Sequence, residues 1–100
     1  MTVTREDFAL AVDEAEWDYL RAHLERGGLI LVDDTLDLVD TAVKVSGDDV
    51  GPIQLWIAAG KIGKPTDSQI HAWNNERQKK FSMLIVSPYV LIQERLPTIH

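Results

Sequence analysis

Two apolar runs close the chain, Phe81-Ser82-Met83-Leu84-Ile85-Val86 and Val90-Leu91-Ile92-Gln93, with Ser87-Pro88-Tyr89 between them. Each run is about as long as an ordinary strand, and a proline cannot donate a ladder hydrogen bond. The pattern therefore predicts strands over 81–87 and 89–94 joined at a bend. Upstream, a short helical pattern begins at Thr4 and places Phe8 and Val12 four residues apart on one face. Asp13 and Glu16 have the spacing of a capping box, and Trp17, Leu20 and Leu24 recur at i, i+3 and i+7. A helix over 14–26 follows, ended by Gly27-Gly28, which supply the left-handed conformation of a helix C-terminus. Leu29-Ile30-Leu31-Val32 then reads as a buried strand over 29–33.

Residues 36–46 fit two periods. As a helix, Leu36, Val39 and Val43 align while Leu38 and Val45 fall opposite; as a strand, Val39, Thr41, Val43 and Val45 face one way. β-branched content and alternation favour a strand over 38–46, making 29–46 a β-hairpin around Asp33-Asp34-Thr35. Val50, Ile53 and Ile57 line a helix over 49–59 with Trp56 beside the stripe, and Pro52 sits in its first turn, where a missing N–H costs little. Lys61-Ile62-Gly63-Lys64-Pro65 is too punctuated for a long strand. Thr66 and Gln69 form a second capping box, opening a helix over 67–80 whose face carries Ile70, Trp73 and Arg77. Pro97-Thr98-Ile99-His100 reads as a loose tail. The sum is a single α+β domain over 1–100, a small antiparallel or mixed sheet with about three helices packed on one face.

Composition narrows the chemistry. The 100 residues are 45% apolar and 26% charged, ordinary for a globular domain able to bury one modest core. No cysteine is present, which excludes disulfides, thiolate metal sites and cysteine nucleophiles. The net charge of −6, with scattered cations, argues against nucleic acid as a partner. The nearest cationic cluster, Arg77-Gln78-Lys79-Lys80, sits where a helix end favours cations. No run approaches the roughly 20 apolar residues that span a bilayer, and the N-terminus lacks a leader pattern, so cytoplasmic residence is expected.

Candidate sites are sparse. Asp33, Asp34, Asp37 and Asp40 crowd one turn but lack the calcium-loop spacing, so they read as turn aspartates, and no metal is expected. Asp37, between Leu36 and Leu38, is the exception and suggests pairing with a base such as Arg26. His23, His71 and His100 belong to no ligand or triad motif. Trp17, Trp56 and Trp73 read as core, with Trp56 set apart because it lies off its helix's main stripe. Gln93 is a polar residue inside an apolar strand, where its amide must find backbone partners.

Trp17 with Leu20, Arg26-Gly27, Leu36-Asp37-Leu38-Val39, Asp48-Asp49, Trp56, Gly60-Lys61-Ile62-Gly63-Lys64, Trp73 and Ser87-Pro88-Tyr89-Val90-Leu91-Ile92-Gln93-Glu94 together resemble the bacterial Domain of Unknown Function 2288 family over nearly the whole chain. Tyr89 stands where that pattern often has Trp. The resemblance implies a small standalone bacterial protein and brings no activity or cofactor with it. Two functional classes follow. The first is a noncatalytic binding or assembly module forming a homodimer, because short strands leave edges to be paired or covered. The second is a small ligand-binding or enzymatic domain with a site around Arg26, Asp37, Trp56, Lys64 and Gln93. In it Asp37 serves as base and Arg26 or Lys64 holds an anion.

Overall fold

The computed structural model describes residues 5–95. In chain order it contains α1 (Arg5–Ala11), β1 (Asp13–Glu16), α2 (Trp17–Glu25), β2 (Leu29–Val32), α3 (Leu38–Ser46), α4 (Val50–Ala58), β3 (Ile62–Gly63), α5 (Asp67–Asn74), β4 (Lys80–Val86) and β5 (Tyr89–Glu94). The five strands form one mixed sheet in the order β1-β4-β5-β2-β3, with β2 and β5 parallel and every other neighbouring pair antiparallel. The α+β class and the closing strand pair are as the sequence predicts. The start proposed at Thr4 and the tail Pro97–His100 lie outside the described residues.

The sheet carries apolar side chains on both faces because its inner strands alternate apolar with apolar. Phe81 and Met83 of β4, Val90 and Ile92 of β5 and Leu29 of β2 share one core with Ala15, Trp17, Leu20 and Trp73, so α2 and α5 cover that face. Leu84, Val86, Leu91 and Val32 share the other with Phe8, Leu38, Ala42 and Ile62, covered by α1, α3 and the inner side of α4. The helices are thus divided between two faces, not gathered on one. Trp17, Trp73 and Phe81 form the centre of the first core. Trp73 meets Trp17 and Phe81 edge-on at 4.9 Å between centroids in each case. Both indole N–H groups are satisfied, Trp17 donating to Asn74 Oδ1 at 3.0 Å and Trp73 to Glu94 Oε1 at 3.2 Å. Trp56 packs separately, half-buried against the second core.

Residues 38–46 form a helix, not the predicted strand. The stripe that decides it is Leu38, Thr41, Ala42 and Val45, at i, i+3, i+4 and i+7, of which the first three are buried against the sheet. Thr41 is tolerated there because its hydroxyl donates to the Asp37 carbonyl at 2.9 Å. Asp37 caps the helix, Oδ1 accepting the amides of Val39 at 2.8 Å and Asp40 at 3.3 Å. A weak β propensity yields to a cap and a continuous buried stripe, and the hairpin proposed over 29–46 disappears with it.

Two further boundaries move. Asp13–Glu16 is an edge strand on β4, with Ala15 opposite Phe81, so the helix predicted over 14–26 starts at Trp17. Glu16 makes no side-chain cap; the Trp17 and Asp18 amides donate instead to the carbonyls of Lys79 and Arg77, each at 2.9 Å. Those carbonyls are available because α5 stops at Asn74, six residues short of the predicted end, and residues 75–79 turn the chain into β4. The Thr66–Gln69 capping box is present. So is the glycine end of α2: Gly27 has φ +79°, and the Gly27 and Gly28 amides donate to Leu24 and His23 carbonyls. Gly28 also passes so close to the β4–β5 turn that a Cβ there would stand 3.0 Å from the Pro88 carbonyl oxygen.

β1 is short, and ion pairs hold it. Glu14 pairs with Lys80 at 2.9 Å and with Arg95. The hydrogen bond from Lys80, opposed in part by lost hydration and reinforced by the Lys80 and Arg95 charges, holds the Glu14 carboxyl below its ordinary range, and Glu14 in turn raises Lys80. A depressed carboxyl stabilises the fold above its unfolded pKa, and that contribution is lost as pH falls through the folded value. Protection of the β1 amides, measured by NMR hydrogen exchange against the intrinsic rate at each pH, is expected to fall on acidification through this window more than protection in β5, and Glu14→Gln should abolish the difference. Phe81→Ala, which empties the centre of the aromatic cluster, is expected to cost about 3–5 kcal/mol in denaturant unfolding. Asp37→Ala, which removes the α3 cap, should cost about 1 kcal/mol.

Candidate functional site

The loop leaving β2 builds a polar cleft. Asp33 extends the β2–β3 ladder by donating its amide to the Lys61 carbonyl at 2.7 Å, then folds its carboxylate back onto Thr35, accepting from the amide at 2.8 Å and the hydroxyl at 2.7 Å. Lys61 Nζ donates to the same hydroxyl at 2.8 Å. The two hydrogen bonds from Thr35 and the Lys61 charge keep the Asp33 carboxyl below its ordinary value. From β5 the Gln93 amide donates to the carbonyls of Asp33 at 2.9 Å and Leu36 at 2.7 Å, pinning both ends of the turn to the sheet. The half-buried Gln93 amide in an apolar strand thereby has its backbone partners. The resulting cleft, about 370 Å³, is bordered by Asp33, Asp34, Lys61, Lys64, Gln69 and Glu94.

The five residues singled out from the sequence occupy separate places. Lys64 borders the cleft, and Gln93 holds the loop that forms one wall. Asp37 lies at the loop's far end with both carboxylate oxygens engaged, one by the helix amides and the other by Arg5 at 3.3 Å. Arg5, which also pairs with Asp40, takes the place proposed for Arg26. Arg26 caps the C-terminus of α2, before β2 begins, whereas Asp37 follows the loop that leaves the other end of that strand. Trp56 packs into the second core from α4. Among the described residues no group of three His, Asp or Glu side chains is placed to hold a metal ion.

The most unusual surface is α4. None of its nine residues is buried, yet it is almost wholly apolar: Val50 is 57% exposed, Leu55 71% and Ile57 57%. From Val50 to Gly60 no side chain is charged, and Gln54 is the one polar side chain. Ile53 and Trp56 form the inner stripe; Gly51, Gln54, Leu55 and Ala58 face outward. Beside the helix runs an apolar groove of about 340 Å³, with Ile30, Val45, Ile53 and Ile62 among its lining residues and Val50, Ile57 and Tyr89 at its margins. The sequence signal for this surface was present in Leu55, Ala58 and Ala59, apolar residues that fall outside the stripe of Val50, Ile53 and Ile57. A helix apolar all round is either buried or covered by something else.

Gln93→Leu keeps the side chain's bulk and removes both donors, leaving two loop carbonyls without their partner. A loss of about 1–3 kcal/mol in denaturant unfolding is expected, with the largest chemical-shift changes at 33–37.

None of the curated proteins compared with the chain matches it. Among solved structures, the NMR solution structure of PA1075 from Pseudomonas aeruginosa is 31% identical, with a TM-score of 0.79, the match covering 99% of this chain and 94% of that one. Trp17, the Gly60–Lys64 segment and the Ser87–Glu94 segment all fall within residues 3–94, which match the family model described as protein of unknown function (DUF2288), and the chain belongs to that family.

Proposed function

We propose that the protein is a noncatalytic assembly module that pairs with a second copy of itself through α4. The observation that carries this reading is the apolar, uncharged and wholly unburied surface of that helix. Exposed apolar side chains scattered singly need no explanation, but Val50, Leu55 and Ile57 lie on one short helix beside an apolar groove. Full burial of a Val, Leu or Ile side chain is worth about 1.5–3 kcal/mol, so covering this set in two copies at once is a substantial driving force.

A second copy fits better than a charged partner. Each chain carries a net charge of −6, and bringing two together through most of their surface sets like charges against each other. The uncharged stretch from Val50 to Gly60 is where that repulsion is least. The polar cleft offers less support for catalysis, because Asp33, Thr35 and Lys61 already satisfy one another.

Sedimentation velocity across the micromolar range is expected to show a concentration-dependent dimer. Leu55→Asp, at an exposed position where folding is little affected, should weaken it by about 100-fold or more, since both copies lose an apolar contact and gain a charge. A strict monomer at all concentrations sinks this function.

A further inference from the structure

We infer that the two α4 helices of the dimer lie antiparallel about a two-fold axis passing beside Gln54, an arrangement that rests on the assembly reading and adds its geometry. Three features of the helix converge on it. The first is where its polar group stands. Gln54 is the middle residue of Val50–Ala58 and faces outward, and a carboxamide is both donor and acceptor. At a two-fold axis it meets its own copy, and each amide satisfies the other, so the one polar side chain of the surface need not be buried unpaired.

The second is shape. Gly51 and Ala58 lie along the outward ridge with Gln54, and nothing stands within 4 Å of where a Gly51 Cβ would be. Small residues at both ends of the ridge allow close approach of the two backbones, while Leu55 on one flank and Val50 and Ile57 on the other supply apolar area. Antiparallel pairing centred on Gln54 sets Gly51 against the partner's Ala58 on one side of the seam and Val50 against the partner's Ile57 on the other. Small residues thus meet where the backbones approach, and apolar bulk meets beside them.

The third is charge, which separates antiparallel from parallel pairing. Asp48 and Asp49 precede the helix and Lys61 follows it. Parallel helices set the acidic ends side by side and align the two dipoles. Antiparallel helices bring Asp48 and Asp49 toward the end that leads to the partner's Lys61 and oppose the dipoles. Residues of opposite sign flanking the seam thus stand together once at each end of the interface.

The absence of cysteine makes the arrangement directly testable, because any introduced thiol is the only one in its chain. Gly51→Cys and Ala58→Cys are prepared separately, with Gln78→Cys in the 75–79 turn as a control, and oxidised alone and as equimolar mixtures. Disulfides need Cα atoms about 4.4–6.8 Å apart. The mixture of Gly51→Cys with Ala58→Cys is expected to form a crosslinked heterodimer at least tenfold faster than either variant alone or either mixed with Gln78→Cys. Sedimentation under reducing conditions establishes that each variant still associates. Faster linking of Gly51→Cys to itself, or no linking above the control while sedimentation reports a dimer, overturns the antiparallel arrangement and leaves the assembly reading standing. A monomeric parent protein overturns both.

Discussion

Everything in this fold depends on β4 and β5 being apolar on both faces. Met83 opposite Ile92 points to one side, and the neighbouring pair Leu84 opposite Leu91 points to the other. A sheet with one apolar face can leave the other in water; this one cannot. A chain of 100 residues has little helix to spend on two layers, and the result is five short helices among the described residues, two on the aromatic side and three on the aliphatic side. The same constraint explains why 38–46 must be helical: as a strand it would leave Leu84, Val86 and Leu91 without cover.

The parts of the fold legible in the sequence are those fixed by local chemistry. Thr66 with Gln69 and Gly27-Gly28 announce a helix start and a helix stop, and each does so through hydrogen bonds within a few residues. The parts that were not legible depend on partners far along the chain. Asp13 and Glu16 have the right spacing for a capping box, but the amides they would serve are taken by carbonyls at 77 and 79. Residues 38–46 misled because the stripe that faces the core includes Thr41 and Ala42, and neither looks apolar enough to define a face. The helices were expected on one face because periodicity within a strand does not say how many layers the rest of the chain can supply. The same limit governs the candidate residues: Asp37 was recognisable as exceptional, but its partner Arg5 lies 32 residues away and carries no motif.

Polar groups do distinct structural work at the two edges of the sheet. At the β1 edge the Glu14, Lys80 and Arg95 charges hold a four-residue strand with little apolar content, and the acidic side chains of that strand discourage another chain from adding to it. At the β3 edge Gln93 and Thr35 fix a loop whose backbone would otherwise leave carbonyls unpaired. The β1 edge is thus guarded by charge and the β3 edge is only two residues long, and neither presents apolar area comparable to α4.

That contrast bears on how α4 should be understood. Elsewhere the chain also exposes apolar side chains, Leu10, Tyr19 and Ile85 among them, but it sets charged pairs across the rest of its surface, with Arg21 and Arg77 around Asp18, Lys44 beside Asp49 and Lys79 beside Glu94. Across Val50–Gly60 it places none, although the outer side of the helix touches no core that would require apolar residues there. Substituting Gln or Lys at 55 or 58 would cost the folded monomer almost nothing, because a helix favours those residues as much as the ones present. Apolarity at those positions therefore answers to something other than the stability of a single chain, and the proposed contact with a second copy is a requirement that such an uncharged surface would meet.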